Sequence, residues 1–197
     1  MKRSKLIAAL TLTAGMLFNS GIKAQSQTHE VGMRFSSLEN FDFIYKKELE
    51  ENKLRRYSLG FTNLNFIDRE NNEAFNFGLG FAIGTEKRKQ IAEKLKFIHG
   101  FEPFAELNFT SSEISDDDRR NSGQVIAGLG YVLGFQYDFS DKFYVNLETV
   151  PSLYGAVNFA ETSEDEISED GYEIGAGFNS NAIAVSLVYR FTKDKKN

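Results

Sequence analysis

Two histidines, His29 and His99, are the only imidazoles in this 197-residue chain, and cysteine is absent. Without a thiol there is no disulfide, no thiolate nucleophile, no thiolate metal site and no lipid attached at cysteine. A reaction run by either histidine as general base needs a nucleophile within hydrogen-bond reach. Two residues beyond His99 stands Phe101 and not a serine, so both histidines read as interfacial side chains and no catalytic residue is expected. "GLGFAIG" (Gly78 to Gly84) and "GLGYVLG" (Gly128 to Gly134) look like glycine loops that cradle a nucleotide. The third glycine comes one residue too late, the even spacing puts all three on one strand face, and no crossover helix follows. They read as space inside a narrow interior, and no cofactor is expected.

Two acidic runs could offer oxygen ligands to Ca²⁺ or Mg²⁺: "SDDDRRN" (Ser115 to Asn121) and "ETSEDEISED" (Glu161 to Asp170). Neither has the spacing or the central glycine of a calcium loop. They are expected to be solvated external loops, with no metal. Asn108, Phe109 and Thr110 form a glycosylation sequon, discounted because it lies in a strand pattern.

The elements that must carry these residues begin after an address. Lys2, Arg3 and Lys5 precede an apolar run from Leu6 to Phe18, then small and polar residues lead to Ala24 and Gln25. This is the layout of a secretory signal peptide over residues 1–24, cut between Ala24 and Gln25 and leaving one domain over 25–197. The leader holds four basic residues (Lys2, Arg3, Lys5, Lys23) and no acid, so the remainder carries 19 basic against 28 acidic side chains, a net charge of −9. Nucleic acid is excluded as a partner on that balance. No apolar run reaches the ~18 to 20 residues of a spanning helix.

Beyond the leader the chain reads with period two. In "GQVIAGLGYVLGFQYDF" the residues Val125, Leu129, Tyr131, Leu133, Phe135 and Tyr137 share one side, and Gln124, Gly128, Gly130, Gly134 and Gln136 the other. Eight such segments are predicted, near residues 29–37, 41–48, 53–67, 74–86, 95–110, 123–139, 142–160 and 171–191. Parity slips near Phe61 to Leu64 and Asn179 to Asn181 predict bulges. Several segments exceed the ~9 to 11 residues that span a membrane.

Along the alternating apolar positions Phe75 to Ile83, Val125 to Phe139, Phe143 to Phe159 and Ile183 to Phe191 none is charged, as a cost of ~2 to 4 kcal/mol for a basic residue at the bilayer midplane would require. The other parity is rich in small residues yet carries Arg34, Asp42, Arg56, Glu102, Glu106, Glu148 and Arg190. Such a mixture suits a lumen where charges pair, so Arg34, Arg56, Glu102, Glu106, Glu148 and Arg190 are expected to form an interior ion network; a gated polar path is the alternative. Aromatic residues cluster at segment ends, Phe41, Phe75, Phe109 and Phe159 in one girdle and Tyr57, Phe97, Tyr137, Phe143, Tyr189 and Phe191 in the other. The fold expected is all-β, a transmembrane antiparallel up-and-down barrel of about eight strands. The longer connections, 111–122 and 161–170, fall on the outer side, and the turns near 49–52, 87–94 and 140–141 on the periplasmic side.

In these features the whole mature chain resembles the small eight-stranded outer-membrane β-barrel proteins of Gram-negative bacteria, and most of all the Bacteroidetes-type outer-membrane or porin family proteins. "KAQSQ" at the cut is similar to their leaders, and "AVSLVYRF" (Ala184 to Phe191) looks like their C-terminal insertion signal. The resemblance implies that Leu187, Tyr189 and Phe191 are read by the barrel-insertion machinery, although "TKDKKN" follows where the family's commoner pattern ends. It further implies outer-membrane localisation, periplasmic chaperones during biogenesis, and lipid and lipopolysaccharide as surroundings. A monomer with a structural or surface-interaction role and no catalysis is expected. A narrow pore or carrier, a lipid A modifying enzyme using His with Ser and an acid, and a soluble lipocalin-like barrel are the alternatives.

Overall fold

The computed structural model describes residues 27–37, 40–69, 72–115, 118–162, 171–177 and 183–193. The leader with Ala24 and Gln25, the acidic stretch 163–170 and the bulge expected near Asn179 lie outside them.

Alternating apolar and polar residues produce strands and no helix among the described residues: β1 (Gln27–Phe35), β2 (Phe41–Glu50), β3 (Lys53–Arg69), β4 (Asn72–Ala92), β5 (Leu95–Ser115), β6 (Asp118–Asp138), β7 (Phe143–Thr149), β8 (Ser152–Thr162), β9 (Gly171–Gly177) and β10 (Ile183–Lys193). All pair antiparallel with their neighbours. β1 to β7 and β10 form a closed ring of eight, sealed where β1 pairs with β10 from Gln27↔Lys193 to Phe35↔Val185. Closure removes the unpaired sheet edges that lipid would not tolerate.

The expected strand 142–160 is interrupted, dividing into β7 and β8 at Val150 and Pro151, while β9 and β10 are the described parts of 171–191 on either side of residues 178–182. Pro151 has no N–H to give a ladder. Its carbonyl still accepts the Tyr131 N–H at 2.9 Å, so β6 pairs continuously, with β7 in its lower half and β8 in its upper half. The register slip expected after Phe61 is present between Thr62 and Asn65 of β3.

The turn expected over 87–94 is shorter than that. β4 runs on to Ala92 and only Glu93 and Lys94 turn, because Glu86 and Arg88 continue the inward parity and find partners in the lumen. Asn52 (φ 60°) makes the left-handed corner between β2 and β3, a conformation that Asn tolerates better than most residues. At the other end β5 and β6 extend to Ser115 and Asp118, which shortens the connection expected over 111–122.

Leu129 (45% exposed), Leu147 (51%) and Leu187 (54%) point outward, while Arg56 and Glu148 are buried. Apolar surface faces out and charge faces in, the reverse of a soluble barrel. β4, β5 and β6 each have 21 residues. At ~3.3 Å per residue that is twice what a tilted strand needs to cross ~30 Å of hydrocarbon. Above Phe35, Phe41 and Phe61, where β1, β2 and β3 cease to be mutually paired, β3 to β6 with β8 and β9 continue as one antiparallel sheet.

Candidate functional site: the charged interior

The lumen is organised by cross-strand neighbours of unequal size. Asp42 stands opposite Gly60, Arg56 opposite Gly84, Glu102 opposite Gly130, Glu106 opposite Gly80 and Glu148 opposite Gly134. A long charged side chain thus lies over a residue with none, the large-and-small alternation a narrow barrel needs. At Gly134 a Cβ would meet the Leu147 carbonyl oxygen and lie 2.8 Å from the Glu148 Cα, so the space belongs to its neighbour.

Arg56 is the hub. Its guanidinium holds Glu148 in a two-pronged bond (Nη2–Oε1 3.0 Å, Nη1–Oε2 3.1 Å), with Nε 2.7 Å from Glu102 and Nη1 3.3 Å from Glu86. Arg34 contacts Asp42 and reaches Glu148 at 3.4 Å and Glu102 at 3.7 Å. Glu86 links this group to the next by accepting Lys46 Nζ at 2.6 Å and Arg88 at 2.8 Å. Arg88 also donates two bonds to Glu30 (2.9 and 2.6 Å). Arg190 donates to Glu30 at 3.0 Å and approaches Asp138 at 3.4 Å, where Lys96 closes the chain at 2.9 Å.

Tyr144 stands among these groups. Its hydroxyl donates to Glu30 at 2.6 Å and accepts from Arg88 at 3.0 Å, while Lys46, Arg88 and Arg190 lie 5.7, 5.1 and 5.2 Å from its ring. Cations against an aromatic face with the water removed add to the ion pairing. Six cations (Arg34, Lys46, Arg56, Arg88, Lys96, Arg190) meet six carboxylates (Glu30, Asp42, Glu86, Glu102, Asp138, Glu148) in one connected network. The two charges of such a buried pair each cost several kcal/mol to dehydrate, and their attraction offsets that only when both are present.

Of the six residues expected to form the network, Arg34, Arg56, Glu102 and Glu148 lie together and Arg190 lies in the lower part with Glu30. Glu106 makes no ion pair among the described residues and accepts from Asn108 at 3.1 Å. The reading from sequence passed over Glu30, Lys46, Glu86, Arg88, Lys96 and Asp138. Their signal was parity, since Glu86 and Arg88 share a face with Ala82 and Gly84. A further inward row, Gln136, Asn146 and Ser186, is buried on adjacent strands, and Gln136 Oε1, both Asn146 amide atoms and Ser186 Oγ have no hydrogen-bond partner among the described residues. Ordered water commonly serves polar atoms so placed.

Both histidines are on the outer wall. His29 Nδ1 lies 2.7 Å from the Tyr45 hydroxyl and its ring stacks on Tyr45 and Phe191. His99 stacks on Phe97, with Nδ1 3.3 Å from the Tyr131 hydroxyl. Leu187 and Tyr189 face outward on the ring-closing strand, and Tyr189 stacks on Phe191 and packs on Phe143.

A closed antiparallel ring with an apolar exterior and a salt-bridged lumen defines a membrane-spanning β-barrel protein. No family model and no curated protein matches the chain. Among solved structures it resembles a major outer membrane protein from Thermus thermophilus, with a TM-score of 0.55 at 9% identity over 85% of this chain and 100% of that one. Ail, the attachment invasion locus protein of Yersinia pestis, aligns with a TM-score of 0.45 at 11% identity over 86% of this chain and 100% of that one. By fold and by surface the chain is a membrane-spanning β-barrel, the fold it shares with the Thermus outer membrane protein.

Proposed function

We infer that the barrel is a non-catalytic anchor that presents the sheet above the ring to the outside, a structural or surface-interaction protein and not a conduit. The observation that carries this reading is the charge-balanced network filling the lumen, with Arg56, Lys46, Glu30, Glu86 and Glu148 fully buried. A cavity of about 130 Å³ opens at the outer mouth beside Arg34, Asp42, Glu102, Glu106 and Glu148, above this plug. Two supports for the orientation are the two-residue turn Glu93–Lys94 at one end and the long β5–β6 hairpin at the other. Lipopolysaccharide and outer-membrane lipid surround the barrel in this reading. The insertion machinery reads Leu187, Tyr189 and Phe191, and the leader and C-terminal motif support a Bacteroidetes-type family. Refolded protein in a planar bilayer is the test. No discrete conductance is expected, and regular single-channel steps would replace this reading with the pore.

A further inference from the structure

At the short-turn end the outer wall is uneven. On β5, β6, β7 and β10 this level carries the aromatic side chains Phe97, Tyr137, Phe143, Tyr189 and Phe191. On β2, β3 and β4 it carries Lys47, Lys53, Arg55, Lys87 and Lys89 on the outward parity. Lys47 stands directly opposite Arg55, and Lys53 directly opposite Lys87. Like charges facing each other across a strand pair are unfavourable, so two such pairs side by side need a counter-charge. The protein supplies little. Glu50 reaches Lys53 at 3.4 Å, and Lys47, Arg55, Lys87 and Lys89 have no acidic partner among the described residues.

The patch also has a definite depth. Tyr45 and Tyr57 stack at 5.8 Å as opposite residues, and Lys47 and Arg55 come next beyond them on the same face. Two residues of strand advance about 7 Å, from the tyrosine girdle into the headgroup layer. Lys89, opposite Phe97, lies at the same level.

We propose that this basic arc is a docking site for the phosphate of anionic glycerophospholipid, of the phosphatidylglycerol type, in the periplasmic leaflet. Phosphates set between the facing cations supply the missing counter-charge, while the aliphatic stems of Lys and Arg and the two tyrosines lie along the acyl chains. Periplasmic placement rests on the orientation given above, with the short turns inward. Lipid A carries phosphate too, but it occupies the opposite leaflet.

The mature chain is refolded into phosphatidylcholine vesicles containing trace spin-labelled phosphatidylglycerol or spin-labelled phosphatidylcholine. The immobilised fraction of each label is read by electron paramagnetic resonance. Phosphatidylglycerol should be preferred, and the preference should fall at least about fivefold in K47Q/R55Q/K87Q, the share that one Lys or Arg near an anionic surface carries. It should also fall in 0.5 M NaCl and stay unchanged in K142Q, in the β6–β7 turn. No preference, or one that survives both the triple variant and salt, overturns the proposal. If the triple variant does not fold, K87Q, K89Q and the salt arm decide. Unlabelled lipid A that competes at far lower concentration than phosphatidylglycerol also overturns it. The chain has no cysteine, so Lys94→Cys reports orientation separately. An impermeant maleimide should reach it only after the outer membrane is opened. Labelling on intact cells would void the periplasmic occupant and the orientation together while leaving phosphate selectivity measurable.

Discussion

Glu148 sits where two arginines depend on it, Arg56 through two hydrogen bonds and Arg34 through one. Replacing it by Gln keeps the volume and removes the charge, leaving Arg56 with fewer counter-ions in a dehydrated lumen. Breaking one partner of a buried pair costs ~3 to 5 kcal/mol. Glu148→Gln should therefore lower the urea midpoint of the refolded barrel, while Glu50→Gln, at the exposed end of β2, should leave it unchanged. Gly134→Leu tests the same lumen by volume: its side chain must displace Glu148, and the folded fraction in a heat-shift gel should drop. His29 is held in an aromatic stack on the outer wall, so His29→Ala should leave the mass of lipid A unchanged in expressing cells.

At the scale of the strand, face matters more than position. Leu187 and Ser186 are adjacent on β10, one exposed and the other buried. An arginine at Leu187 meets hydrocarbon and should cost ~2 to 4 kcal/mol, seen as a lower folding midpoint in vesicles. Parity is also what made these elements readable: Ile126, Gly128 and Gly130 against Val125, Ala127 and Leu129 specify a strand and its two faces. It failed where both faces are hydrophilic. In "TEKRKQ", Glu86 and Arg88 face in while Lys87 and Lys89 face out, and the polar run reads as a turn although it is the end of β4. The break between β7 and β8 is equally invisible to parity, since Thr149, Pro151 and Leu153 keep one face through it.

For the whole molecule the decisive features are a filled cylinder and strands longer than the membrane. A folded barrel should migrate differently from its boiled form in detergent gels, and the absence of any shift would contradict the ring closure between β1 and β10. Taken alone, the residue pattern determined the class of fold, the inside-out surface and the charged character of the lumen. A period of two assigns every side chain to one face, and lipid forbids charge on one of those faces. Which charge meets which was decided only by tertiary structure. Glu30 and Arg190 are 160 residues apart in the chain and 3.0 Å apart in the lumen. Their meeting depends on the stagger of strands around a closed ring, a property of the closed sheet that no strand carries in its own sequence.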